Sequence, residues 1–469
     1  MAPITYVSTR GAAPELGFAD VLLAGLAIDG GLYVPSQWPS LTVAAFERFT
    51  SMSYSEIATE VMWPFVEGSI EHDAFAAIVH DAYATFATEE VVPLVDLGDN
   101  IWLAELFHGP TLAFKDIALQ LVGRLFDHEL TRRGEKVTIV GATSGDTGSA
   151  AIEALRDRPT ADVFILHPAG RVSDVQRRQM TTVLSQNVHN IAVEGTFDDC
   201  QDMVKALFAD DQFRESRNLS AVNSINWARV MAQIVYYVTC AVRLGGGAGR
   251  PVAFSVPTGN FGNVFAGYGA QRIGTPISQF IVASNRNDIL TQFLTTGTMT
   301  IGEVHPTLSP SMDIQVSSNL ERLLFEIHGR DGAAISELMA RFRAEGTVSV
   351  EGDRLELLAD HWSAARIDDA QTAATIAAEF ERNGMLIDPH TAVGLAAARQ
   401  ARADAAVPMV VLATAHPAKF PDAVEAASNV RPPLPAHLAD LFDRPEHFEV
   451  CANDFATVRG RIEEILDQP

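Results

Sequence analysis

VTIVGATSGDTGSA, residues 137–150, is the stretch on which the fold turns. Val137 to Val140 is a short, mostly β-branched run of the kind that forms a strand buried on both faces. Gly141 to Gly148 breaks it with glycines and small hydroxyl residues, and a helical pattern starts near Ser149. The same order returns at 252–263, VAFSVPTGNFGN, where Val252 to Val256 reads as a strand and Pro257 to Asn263 as a glycine loop leading into a helix. Working outward, Val163 to Leu166, Ile191 to Val193, Ile277 to Ala283 and Met409 to Ala413 read as further strands. A helix is expected after Asp198, and Asn226 to Val242 is apolar enough for a long buried one. Strands alternating with helices predict parallel βαβ units with helices on both faces. Such sheets bind ligands at the carboxyl ends of their strands, where both glycine loops lie. Residues 1 to about 95 follow another grammar: helical periodicity interrupted by Asp29-Gly30-Gly31 and by prolines 35 and 39.

The chain has 469 residues, of which 47% are apolar and 20% charged, enough to bury a large core. Its formal net charge is −25. A chain that acidic repels nucleic acid and anionic membranes, so an anionic small molecule must be attracted locally, by helix N-termini and a few placed cations. Cys200, Cys240 and Cys451 are odd in number and widely spaced, which argues against a disulfide framework or a cysteine zinc site and fits a reducing compartment. No metal site is expected. The apolar runs, such as Ile234 to Val242, are far shorter than the ~18–20 residues that span a bilayer. Val21 to Ile28 is flanked by Glu15, Asp20 and Asp29, which is not the pattern of a secretory leader. A cytoplasmic protein is expected.

Four segments carry chemistry. In SVPTGNFGN, 255–263, Gly259 and Gly262 would let the backbone approach an oxyanion, and the helix that follows aims its N–H groups and positive dipole end at it; read alone, the segment is equally a tight strand-to-helix turn. No Gly-Lys-Ser/Thr follows, and neither loop is GxGxxG, which weakens a nucleotide or nicotinamide reading. The loop 141–148 offers hydroxyls at Thr143, Ser144 and Thr147 at a helix start, able to clamp a carboxylate or simply to cap the helix. In FHGPTLAFKDIALQ, 107–120, Lys115 stands beside Phe114 and Ile117; desolvation would make its amine nucleophilic, whereas an ordinary helical lysine snorkels to water. His108 reads as a capping or packing residue. In VLATAHPAKF, 411–420, Thr414 closes a strand, with His416 and Lys419 just beyond, and its hydroxyl could meet a ring nitrogen.

Together these segments resemble one family, the pyridoxal-phosphate-dependent threonine synthases of the longer bacterial and fungal type. YVSTRG at 6–11, LAIDGGLYVP at 26–35, FHGPTLAFKD at 107–116, ATSGDTGSA at 142–150, PTGNFGN at 257–263, HPTLSPSMDI at 305–314, DPHTAVG at 388–394 and TAHPAKF at 414–420 carry the resemblance over nearly the whole chain. It implies an α/β fold, the pyridoxal-phosphate fold type II of the tryptophan synthase beta-like kind, with parallel sheets flanked by helices. It also implies an N-terminal domain at 1–95 and, at 96–469, a catalytic region of two α/β lobes with a C-terminal extension. The cofactor implied is pyridoxal 5′-phosphate, held covalently by Lys115, which then shuttles protons. Gly259, Asn260, Phe261, Gly262 and Asn263 match the loop that cups its phosphate, and Thr414 the hydroxyl facing its ring nitrogen. Asp146 stands where many relatives carry an asparagine near the cofactor's 3′ oxygen. Thr143, Ser144 and Thr147 match the loop that receives the substrate carboxylate. The reaction implied is O-phospho-L-homoserine plus water to L-threonine plus phosphate, by γ-elimination and β-addition of water. Arg10 and Lys419, with His416, are offered for the substrate phosphate, Arg10 alternatively as an interdomain ion pair. A serine/threonine dehydratase on the same scaffold and a non-catalytic homologue are the competing readings. The assembly is expected to be a monomer or a homodimer.

Overall fold

The computed structural model describes residues 3–467 apart from Ser144, Val222, Asn223, Ala248 and Glu351. The chain forms two compact units, one of residues 1–118 and 224–432, the other of 119–223 and 433–469. Residues 1–95 lie within the first unit.

The first unit is built on a six-stranded sheet. Its strands run, in spatial order, Trp362–Arg366, Ile277–Ser284, Val252–Pro257, Met409–Ala413, Ile101–Glu105 and Leu94–Asp96. All neighbours are parallel except the last pair, an antiparallel edge. The central strands are buried along their whole length, as their continuous apolar runs require. Register puts Ala413 opposite Glu105 and Ala283 opposite Pro257, so the residues after 105, 257, 284 and 413 emerge at one end of the sheet. The expected buried helix runs from Trp227 to Gly245, capped by the Asn226 side chain at one end and by left-handed Gly246 at the other. Trp227, fully buried, packs at 5.8–5.9 Å against Tyr6, Trp38 and Phe65, seating the N-terminal residues on this helix.

The second unit holds a five-stranded, all-parallel sheet in the order Glu449–Ala452, Val188–Glu194, Ala161–Pro168, Val137–Ala142 and Leu219–Ser220. Val140, Phe164, Leu166, Ile191 and Val193 form its core together with Phe213, Val458 and Ile462. The helix expected near Ser149 begins at Asp146, and the one expected after Asp198 begins at Phe197. Glu449–Ala452, mostly exposed, had no signal as a strand: it forms because the C-terminal segment returns to the open edge of Val188–Glu194. All three cysteines are buried thiols. Among the described residues, no helix is long and apolar enough to cross a membrane.

Candidate active site

Three of the four chemical segments converge at the strand ends of the first unit. After Ile101–Glu105 the chain turns at Gly109, where an added Cβ would lie 2.4 Å from that of Asp116. Leu112 follows with φ +62°, a strained conformation for a branched side chain. It is held by bonds of its N–H to the Gly109 carbonyl (3.2 Å) and of its carbonyl to the His416 N–H (3.0 Å). Ala113 bridges Ala415 in antiparallel fashion, and the Phe114 N–H donates to the Thr414 carbonyl at 2.9 Å. Lys115 opens the next helix, Lys115–Arg133, half-buried, with Nζ 5.8 Å from the Phe114 ring centre. The backbone thus stitches the lysine segment to the strand end carrying Thr414, about 300 residues away. Thr414 is buried, its backbone carbonyl taken by the Phe114 N–H.

Asp116, beside Lys115 in sequence, is fully buried and accepts from the N–H (2.8 Å) and hydroxyl (2.7 Å) of Thr111. Burial pushes its carboxyl up to about 6, against the opposing pull of the Thr111 bonds and the Lys419 charge. Lys419 is itself fully buried, its Nζ donating to the Thr111 carbonyl at 2.6 Å. That bond ties Lys419 to the turn that presents Lys115. Arg10 is likewise engaged within the fold. Its guanidinium forks onto Glu321, Nε to Oε1 at 3.1 Å and Nη2 to Oε2 at 3.0 Å, the ion-pair alternative. His416 caps the short turn at 417–419, its Nδ1 accepting from the Ala418 N–H, and its ring packs edge-on to Phe107. His108 pairs with Glu105 at 2.7 Å.

On the neighbouring strand, Val252–Pro257, the chain leaves through Thr258, whose N–H donates to Ala283. Phe261 is left-handed (φ +62°), buried, and stacked 5.8 Å from Trp362. The helix Gly262–Arg272 follows with no side-chain cap, so its first N–H groups are open to an anion. The glycines also have a packing reason. A Cβ at Gly259 would meet the Ser311 carbonyl at 2.7 Å, and one at Gly262 would crowd Asn319 at 3.3 Å, so these glycines admit the 305–319 segment. The Asn263 Oδ1 accepts from the hydroxyls of Tyr236 and Tyr237 in the buried helix, while its buried Nδ2 has no partner among the described residues and stays available beside its backbone N–H.

In the second unit, Thr143 Oγ1 accepts from the N–H groups of Gly145 and Gly148, both at 2.9 Å, the capping role. Asp146 is buried and accepts from Gln176 Nε2 at 2.8 Å, while Thr147 is half-buried. Ser144 lies outside the described residues. Sequence reasoning passed over Arg229, in the first turn of the buried helix of the first unit. Its Nε and Nη1 are buried and have no partner among the described residues, and burial alone pulls its guanidinium down to about 10. Its only signal was a charged residue inside an apolar helix.

An amine heading a helix, a neutral hydroxyl on the adjoining strand end, and an uncapped helix start one strand away fit the three poles of pyridoxal phosphate: aldehyde, ring nitrogen and phosphate. The class is that of fold type II pyridoxal-phosphate enzymes, and a family model described as pyridoxal-phosphate dependent enzyme matches residues 90–341. Models for the threonine synthase N terminus and C-terminal part match residues 5–83 and 391–462. The threonine synthase of Pseudomonas aeruginosa is 56% identical over 460 residues, 98% of each chain. That of Corynebacterium glutamicum is 43% identical over 474 residues, again 98% of each. The crystal structure of pyridoxal-phosphate-bound threonine synthase from Brucella melitensis superposes with a TM-score of 0.97 at 52% identity, covering 99% of this chain and 100% of that one. The chain belongs to the threonine synthase family.

Proposed function

We propose that the protein converts O-phospho-L-homoserine and water into L-threonine and phosphate. The observation that carries this reading is the backbone stitching of Phe114 and Ala113 to Thr414 and Ala415, which joins the segment of Lys115 to the strand end of Thr414, at the end of the sheet where such folds bind ligands. Pyridoxal phosphate, when bound, supplies an aldehyde that captures amines and a ring that accepts electrons.

Lys115 holds the cofactor, then removes the substrate α-proton at Nζ and returns protons as phosphate leaves and water adds. Thr414, being neutral, leaves the ring nitrogen largely unprotonated, a milder electron sink than a carboxylate partner would give. Gly259 to Asn263 offer backbone N–H groups to the cofactor phosphate. Thr143, Ser144 and Thr147 are assigned to the substrate carboxylate, and Asp146, oriented by Gln176, to the cofactor's 3′ oxygen. Beside Arg10 and Lys419, which bond Glu321 and the Thr111 carbonyl within the fold, Arg229 is the cation we assign to the leaving phosphate. It starts from the turn at 224–226, which Asn319 Nδ2 joins to the cup by bonding the carbonyls of Ser224 (3.2 Å) and Asn260 (2.9 Å). A buried guanidinium short of acceptors gains more from a phosphate than a solvated one does.

The experiment is phosphate release from O-phospho-L-homoserine with threonine as co-product, run beside deamination of serine. Serine deamination without phosphate release would replace this reading with a dehydratase. Arg229→Gln should cut kcat/KM for phosphohomoserine at least ~10-fold, about 1.4 kcal/mol, with cofactor absorbance intact.

A further inference from the structure

Two consecutive carbonyls of the 259–263 loop are held from one side by residues 317–319. The Ser317 hydroxyl donates to the Gly259 carbonyl at 2.7 Å. Asn319 donates twice to the Asn260 carbonyl, from its backbone N–H at 3.1 Å and from Nδ2 at 2.9 Å. A trans peptide sets each carbonyl antiparallel to the N–H that follows it, and the described chain has no cis bonds. Fixing the carbonyls of 259 and 260 toward Ser317 and Asn319 therefore turns the N–H groups of Asn260 and Phe261 the opposite way. The left-handed backbone at Phe261 lets successive N–H groups converge into an anion-binding nest.

The amide of Asn319 has a defined orientation. Its Oδ1 accepts from Arg322 Nη1, so Nδ2 is the end that faces the carbonyls of Asn260 and Ser224. Arg322 is fully buried and pulled down to about 9 by that burial; its Nε donates to the Tyr33 carbonyl at 3.0 Å and Nη2 to the Ile225 carbonyl at 2.6 Å. At the other end of the segment the Ser311 N–H donates to His390 Nε2 at 3.2 Å, and His390 Nδ1 donates to buried Asp388 at 2.7 Å. The segment is therefore anchored on both sides of the loop it holds.

We propose that Ser317 and Asn319 are positioning residues for the cofactor phosphate: they grip the back of the 259–263 loop and so aim the Asn260 and Phe261 N–H groups at the anion. The proposal rests on reading that loop as the phosphate cup. Its signature is selective, since misaimed N–H groups weaken binding of pyridoxal phosphate and leave pyridoxal, which has no phosphate, unaffected.

The test is titration of cofactor-stripped protein with pyridoxal phosphate and, separately, with pyridoxal, followed by absorbance. Ser317→Ala should lower the preference for pyridoxal phosphate about fivefold, and Ser317→Thr, which keeps the hydroxyl, should restore it. Asn319→Asp, an isosteric exchange of donor for acceptor facing two carbonyls, should lower it at least ~10-fold. Gly262→Asp, which puts a carboxylate at the helix start, tests the cup itself. If Gly262→Asp abolishes the preference while folded Ser317→Ala and Asn319→Asp keep it, the grip is refuted and the cup stands. If Gly262→Asp also keeps it, the cup reading falls, and the proposal with it. Equal loss of both ligands in the Ser317 and Asn319 variants would mean general loosening and would also overturn the proposal. Should Asn319→Asp not fold, the Ser317 pair, at a half-exposed position, decides.

Discussion

Replacing Arg10 with glutamine separates an ion-pair role from a substrate-phosphate role. Arg10 is only 13% exposed and Glu321 4%, their two bonds are 3.0 and 3.1 Å long, and Glu321 Oε1 also accepts from the Thr9 hydroxyl at 2.6 Å. A solvent-exposed pair of this kind contributes about 0–1 kcal/mol, but breaking a buried one leaves an uncompensated charge and costs about 3–5 kcal/mol. The Thr9 hydroxyl and the new glutamine amide still satisfy part of Glu321, so about 3 kcal/mol is expected. For a folding unit of about 330 residues the unfolding entropy is roughly 0.7 kcal/mol/K, which converts this to a melting shift of about 4 °C. Calorimetry of Arg10→Gln, Glu321→Gln and the double variant measures it, with phosphate-release kinetics on the same samples. Each single variant should melt early. The double variant, with no buried charge, should recover most of the loss, and KM for phosphohomoserine should stay within about twofold throughout. An unchanged melting temperature together with a KM raised ~10-fold in Arg10→Gln would place the guanidinium on the substrate and refute the reasoning.

Lys115→Ala should fold like the parent and lose several orders of magnitude in rate, and borohydride reduction of the parent should attach the cofactor to a peptide containing Lys115 and to no other lysine. Thr414→Val should weaken cofactor retention by about 1 kcal/mol, read as a roughly fivefold rise in Kd, while Thr414→Asp should raise β-elimination from serine. Asp116 gives a pH signature. Its folded carboxyl titrates near 6 against 3.8 ordinarily, so the charged form is the disfavoured one in the fold. The parent therefore loses about 3 kcal/mol of stability at this site as pH rises from about 4 to about 6, and nothing further above that. Asp116→Asn should flatten that part of the urea-unfolding profile, and a slope unchanged between pH 4 and 6 would exclude Asp116 as its source.

Much of the site was legible because its pieces are local. A strand, a glycine loop and a helix start are consecutive in sequence, so Val252 to Asn263 and Val137 to Ser149 declare both the sheet and the ends of the strands where ligands bind. Lys115 and Thr414 were legible as segments, but the bonds that join them close a loop of about 300 residues, and no spacing within either segment encodes that closure. A second constraint on Gly259 was invisible for the same reason: an added Cβ would meet the Ser311 carbonyl, which reaches it only after folding.

While the cofactor role of Lys115 came only with the family resemblance, composition and pattern by themselves determined an acidic α/β chain with buried parallel strands and two glycine loops at strand ends. These follow from side-chain periodicity and backbone permissiveness, which act over a few residues. Tertiary structure alone decided which charges are available. Arg10 and Lys419 look identical to solvated cations in the sequence, and folding gives one to Glu321 and the other to the Thr111 carbonyl beside Asp116. Arg229 looks like a helix residue of no note, and folding buries its guanidinium with Nε and Nη1 lacking acceptors among the described residues. Electrostatic partnership depends on distances between atoms hundreds of residues apart and on how much water folding removes from around them, and neither quantity exists until the chain has closed.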